Sequence, residues 1–115
     1  MSDIEKLKEE VVKFRDERDW KQFHNPKDLA ISLSLEASEV LEHFQWKSKE
    51  EIKKHIISKK DEIGEELADV LYWILLMSND LDIDISDAFR KKLEKNGAKY
   101  PVEKARGVHT KYTEL

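Results

Sequence analysis

The sequence predicts an all-α, four-helix-bundle-like fold, and three observations carry that expectation. Only three Gly and two Pro occur in 115 residues, too few for the turn about every 8–12 residues that sandwiches and barrels need. Leu, Ile, Lys and Glu dominate the remainder, a composition suited to long helices. Apolar residues also recur at helical spacing behind Ser, Asn or Asp residues placed to cap them. Charged residues make up 40% and apolar ones 39%, so one subunit's core is modest and burial between subunits is a natural supplement.

Each element follows from its own signals. Ser2 and Glu5 have the spacing of a capping box, and Ile4, Leu7, Val11 and Phe14 follow at helical intervals, predicting a first helix over about 3–18. A short aromatic segment, 19–24, precedes Asn25-Pro26, which offers an N-cap and a first-turn proline to a second helix over about 26–44. Its buried side is expected to hold Leu29, Leu33, Ala37, Val40, Leu41 and Phe44. Ser48 with Glu51 repeats the capping box and opens a shorter helix through 52–57. A third long helix, about 59–80, carries the strongest apolar face: Ile63, Leu67, Val70, Leu71, Ile74, Leu75 and Ser78. Asp84 or Ser86 starts the fourth, and Gly97 fits its C′ position. Beyond Pro101 the chain reads as polar and extended, so 1–115 is expected to be a single domain with 98–115 as its tail.

Several function classes drop out. There is no cysteine, hence no disulfide, thiolate nucleophile or zinc finger. The opening MSDIEKLKEE is too charged for the apolar region of a signal peptide. The longest apolar run, Val70 to Met77, is eight residues, whereas a membrane span needs about 20. With 21 basic against 25 acidic residues, the net charge is −4 and both signs are interleaved. The expectation is a soluble, cytoplasmic protein with neither a membrane nor a nucleic-acid polymer as partner.

Two acidic pairs break the apolar pattern: Glu36 and Glu39 in the second helix, Glu66 and Asp69 in the third. Residues three apart lie about 60° apart around a helix, so each pair projects from one face. Apolar Leu35, Val40, Leu67 and Val70 flank them and put that face near the core. Four carboxylates converging from two helices repel unless a cation intervenes, and all-oxygen ligation favours Mg²⁺ or Mn²⁺ over zinc. In a chain with 25 acids the plainer reading is two solvated helix faces. A di-iron carboxylate bundle requires Glu-x-x-His, yet no acid stands three residues before His24, His43, His55 or His109.

Aromatic and cationic constellations accompany the acids. Trp20 and Phe23 precede the second helix, Trp46 closes it, and Trp73 lies one turn beyond Asp69. Indole stacking on a planar base is worth about 1–3 kcal/mol, although a single Trp is more often core. Lys92, Asn96 and Lys99, followed by Tyr100, recur near the end of the fourth helix; point charges and a neutral donor suit phosphate oxygens, against the alternative of a solvated basic face near a helix C-terminus. Metal, base and phosphate sites in one small helical domain point to a nucleoside triphosphate.

The stretches RDERDWKQFHNPKDL (15–29), LEASEVLEHFQWK (35–47), EELADVL (65–71), NGAKYP (96–101) and KYTEL (111–115), with ExxE and ExxD separated by 26 residues, resemble the MazG-like all-α nucleoside triphosphate pyrophosphohydrolases, and among them the dCTP pyrophosphatase branch. The resemblance implies Mg²⁺-dependent cleavage of a (deoxy)nucleoside triphosphate, dCTP or a modified dCTP, to monophosphate and pyrophosphate. It implies metal ligation by Glu36, Glu39, Glu66 and Asp69. It implies base contacts from Trp20 and Trp46, with His24 close by and Trp73 where a Tyr often stands. It implies triphosphate contacts from Lys92, Asn96, Lys99 and Tyr100, and self-association as dimers or dimers of dimers. Two departures stand out: Leu35 precedes Glu36 where the family commonly has an acid, and 48–61 falls in a variable segment. An inactive nucleotide-binding sensor or a helical interaction protein are the alternatives to an enzyme.

The apolar circumference of the third helix, Leu67, Val70, Leu71, Tyr72, Ile74, Leu75, Leu76 and Met77, exceeds what a small monomer is expected to bury. A homodimer at least is the closed solution.

Overall fold

The computed structural model describes residues 2–115 and is all helical among them. Six α-helices occur: α1 (Asp3–Glu17), α2 (Pro26–Glu42), α3 (Lys49–Ser58), α4 (Lys60–Asp80), α5 (Ile85–Lys99) and α6 (Val102–Ala105). Single 3₁₀ turns lie at Lys21–Phe23 and Tyr112–Glu114. The chain divides into two compact units, the first ending at Asp82 and the second comprising Ile83–Leu115.

In the first unit α4 packs along α2 and, less extensively, against α1, with α3 touching α4 more lightly. Leu29 of α2 and Leu75 and Leu76 of α4 form the fully buried centre. The starts of the helices obey their capping residues. The Ser2 hydroxyl accepts from the Glu5 N–H at 3.2 Å. Asn25 Oδ1 accepts from the Asp28 N–H at 2.9 Å, and Pro26 takes the first turn, where its missing donor costs nothing. Ser48 and Glu51 close a reciprocal capping box at 3.2 and 3.1 Å. Behind that cap, His43 Nδ1 and His55 Nε2 share a hydrogen bond of 2.8 Å, which ties the end of α2 to α3.

Several expectations are corrected. The second helix ends at Glu42 instead of residue 44: the chain then turns until Trp46, whose φ of 66° lies in the left-handed region, where no helix continues. Leu41 is exposed, and so are Ala37, Leu67 and Leu71. The apolar surface of α4 is largely covered within the chain, since Val70, Tyr72, Trp73, Ile74 and Met77 are at least half-hidden and Leu75 and Leu76 are fully buried. On α2 and the first half of α4, Ile31, Leu35, Leu41, Leu67 and Leu71 are among the apolar residues that stay uncovered.

In the second unit Asp84 Oδ1 caps α5 through the Asp87 N–H at 3.0 Å. Gly97 does not terminate this helix, which runs on to Lys99 with Tyr100 as its C-cap; the break comes from Pro101, which cannot extend a helix. The following segment is not simply extended. It forms α6, turns at Gly107 with φ 77°, and brings Tyr112 back to the end of α5, edge-on to Tyr100 at 5.9 Å and under the Lys99 ammonium at 4.8 Å.

Candidate functional site

The two acidic pairs meet where α2 and α4 pack together. One carboxylate oxygen from each of Glu36, Glu39, Glu66 and Asp69 lies within 4.8 Å of the others. The three-residue spacing aims each pair off one helix face, and the α2–α4 contact brings the faces together. Glu36 and Glu66 are half-buried and Glu39 and Asp69 exposed.

The electrostatics are those of charges held together against repulsion. Glu66 is pushed up to about 7, first by the hydrogen bond it shares with Glu39, then by burial and by the charges of Glu39, Glu36 and Asp69. Glu36 is raised as well, by burial, by its hydrogen bond with Glu39 and by the charges of Glu39 and Asp69. One oxygen of each, Glu36 Oε2 and Glu66 Oε2, is buried without a hydrogen-bond partner. Orphaned buried oxygens in an all-carboxylate cluster fit a hard divalent cation, so the residues present suit Mg²⁺ or Mn²⁺.

A cavity of about 480 Å³ opens beside the acids, within the range of small-molecule sites. One wall comes from α1 (Glu10, Val11 and Phe14) and the other from α4 (Asp69, Tyr72 and Trp73), with Trp20 and Glu36 completing the lining. The rings meet edge to face, Phe14 against Trp20 at 5.9 Å and against Tyr72 at 6.2 Å, and Tyr72 against Trp73 at 5.0 Å. Such a chamber, largely aromatic and bordered by the carboxylate cluster, has the size and lining to admit a planar ring beside the acids.

Of the other residues singled out in the sequence, His24 stands edge-on to Trp73 at 5.5 Å, with its Nδ1 buried and unpartnered. Burial, and then the Arg15 guanidinium, lower its imidazole below the ordinary range, opposed by Asp80 and Asp28. Trp46 is not in the cavity lining; it projects from the turn after α2, 92% exposed. Lys92, Asn96, Lys99 and Tyr100 all belong to the second unit, exposed along α5 and at its C-cap.

Sequence reasoning missed the α1 wall and the Tyr72 contribution, whose only signal was that Val11, Phe14 and Tyr72 belong to amphipathic stripes. It also missed the ion pair between Arg15 and Asp80, at 2.6 and 2.9 Å. The available sign was a charge at a core position on each helix: Arg15 is four residues after Val11, and Asp80 four after Leu76.

Comparison with known proteins agrees with this picture. A model of the MazG-like family matches residues 31–115. The chain is 38% identical over 117 residues to dCTP pyrophosphatase 1 of Mus musculus, covering all of this chain and 67% of that protein. It is 37% identical to dCTP pyrophosphatase 1 of Homo sapiens, with the same coverage. A crystal structure of a pyrophosphatase from Archaeoglobus fulgidus superposes with a TM-score of 0.81 at 40% identity, over 88% of this chain and 94% of the archaeal one.

Proposed function

Because the chain belongs to the MazG-like family, we propose that it hydrolyses deoxynucleoside triphosphates, dCTP or a modified dCTP foremost, to the monophosphate and pyrophosphate. The observation that carries this reading is the carboxylate quartet opening onto an aromatic cavity of nucleoside size. The substrate preference rests on the dCTP pyrophosphatases to which the whole chain is similar.

In this reading Glu36, Glu39, Glu66 and Asp69 hold Mg²⁺. When bound, that ion supplies charge neutralisation at the phosphates and a lowered pKa for a coordinated water. Phe14, Trp20, Tyr72 and Trp73 take the base, stacking on it and excluding water from one side of the reacting phosphate. Water attacks the α-phosphorus, the bond to the bridging oxygen breaks, and pyrophosphate leaves. The carboxylate among the four least committed to metal accepts the water's proton, and we assign that role to Glu39, one of the two exposed members. Lys92 and Lys99 offset charge gathering on the leaving group, with Asn96 and Tyr100 as neutral donors to it. Trp46 and His24 complete the base contacts.

The same reading makes the protein a homodimer or a dimer of dimers. The uncovered Ile31, Leu35, Leu41 and Leu67 are the residues we assign to subunit contact, since exposed apolar surface of this kind is normally buried between copies. No helix among the described residues is long and apolar enough to cross a membrane.

The deciding experiment incubates the protein with each dNTP and Mg²⁺ and quantifies pyrophosphate and monophosphate. Equimolar release of both, fastest with a cytosine nucleotide, is expected. Tight nucleotide binding without release would make this a sensor, and neither binding nor release would leave an interaction protein.

A further inference from the structure

The Arg15–Asp80 pair lies outside the metal cluster, and nothing in the proposed chemistry uses it. Arg15 is 1% exposed and Asp80 15%. The guanidinium grips the carboxylate with both terminal nitrogens, at 2.6 and 2.9 Å. Burying a charged pair returns little net stability, because desolvation offsets most of the attraction. Its placement is more informative. Arg15 follows Phe14 on α1 and Asp80 stands two turns beyond Trp73 on α4, the two helices that form opposite walls of the aromatic cavity. The Arg15 carbonyl also accepts from the Trp20 N–H at 3.2 Å and the Arg18 N–H at 3.1 Å. It thereby holds a turn in which Asp19 adopts φ 54°, a left-handed conformation costly for a non-glycine residue. The next residues of that turn lead to His24, half-buried, with its Nδ1 enclosed and edge-on to Trp73 at 5.5 Å.

We propose that the Arg15–Asp80 ion pair is a positioning element for the nucleobase cavity, setting the register of its two helical walls and fixing the turn that carries Trp20 and His24. The ligand in this inference rests on the nucleotide reading above; the geometry does not. A bidentate guanidinium–carboxylate contact restricts both distance and orientation, which sliding apolar side chains do not.

The test exchanges the pair for apolar residues. Arg15→Met/Asp80→Leu removes both charges together, a replacement that buried ion pairs often tolerate without loss of stability. The expected variant keeps its melting temperature within a few degrees. Its KM for the preferred dNTP rises about tenfold with a much smaller change in kcat, and its ranking of the bases flattens, as misplaced walls would cause. A folded double variant with parental KM and base ranking overturns the proposal. Should it fail to fold, Arg15→Lys keeps the charge but loses the fork, and a rise of about threefold in KM is expected, with an unchanged KM overturning the proposal. A second readout needs no nucleotide: the ring signals of Trp20 and His24 in the NMR spectrum shift in either variant. Unmoved rings overturn the positioning role. A parent protein that turns over no triphosphate would sink the functional reading alone, and the ring signals would still decide this one.

Discussion

At the scale of single residues, Glu66 holds its proton more tightly in the folded, metal-free protein than in the unfolded chain, with a value of about 7 against an ordinary 4.5. Its contribution to stability is therefore fully present below the unfolded value and lost as pH rises towards 7. Glu66→Gln mimics the protonated form and escapes that loss. With a chelator present, the melting temperature of Glu66→Gln should gain on the parent's as pH is raised from about 5 to about 7.5, and Mg²⁺ should close the gap; a pH-independent difference would contradict the quartet's electrostatics. Asp69→Asn and Glu36→Gln should abolish triphosphate hydrolysis while circular dichroism stays helical, and full activity in either would remove the metal assignment. The acids were legible in the sequence because a three-residue spacing is a statement about one helix face. Arg15 and Asp80 were not: each lies in an apolar stripe, and only the packing of α1 on α4 reveals that the two charges meet.

At the scale of elements, the capping residues made the helix starts readable, because Ser2, Asn25, Ser48 and Asp84 each accept the backbone donor that the sequence pattern assigns them. The ends were harder to read. Gly97 looks like a stop signal, but it has an ordinary helical backbone and the proline four residues on supplies the actual break. The segment after Pro101 was misread because α6 has only four residues and Tyr112 finds its ring partner, Tyr100, twelve positions earlier, beyond the reach of a local pattern. The short α3 depends on its capping box and on the His43–His55 contact. Ser48→Ala should lower stability by about 1 kcal/mol, read as a fall of about 4 °C in melting temperature, and hydrogen exchange should rise chiefly in the amides of α3. A uniform rise across α2 and α4 would mean that α3 is not separately anchored.

The whole molecule leaves too much apolar surface uncovered for a chain this charged. Ile31 and Leu35 on α2, Leu41 at its end and Leu67 on α4 are all exposed, while among the described residues only Leu29, Leu75 and Leu76 are buried apolar ones. Sequence alone assigned the excess to most of the α4 circumference, because it could not tell which of its apolar residues α1 and α2 cover. Sedimentation equilibrium at micromolar concentration should give a dimer or tetramer. Leu35→Lys combined with Leu67→Lys should shift it towards a less stable monomer, whereas a stable, folded monomer of the parent chain would refute self-association.

Trp46 bears two costs at once, a left-handed backbone and an indole almost wholly in water. The same exposure makes it an intrinsic optical probe, since Trp20 and Trp73 are better shielded and should emit at shorter wavelength. The red edge of the fluorescence spectrum, and the fraction quenched by iodide, should therefore report on Trp46. If nucleotide covers the indole, adding a dNTP analogue will protect it at constant protein concentration; if a neighbouring subunit does, protection will disappear on dilution.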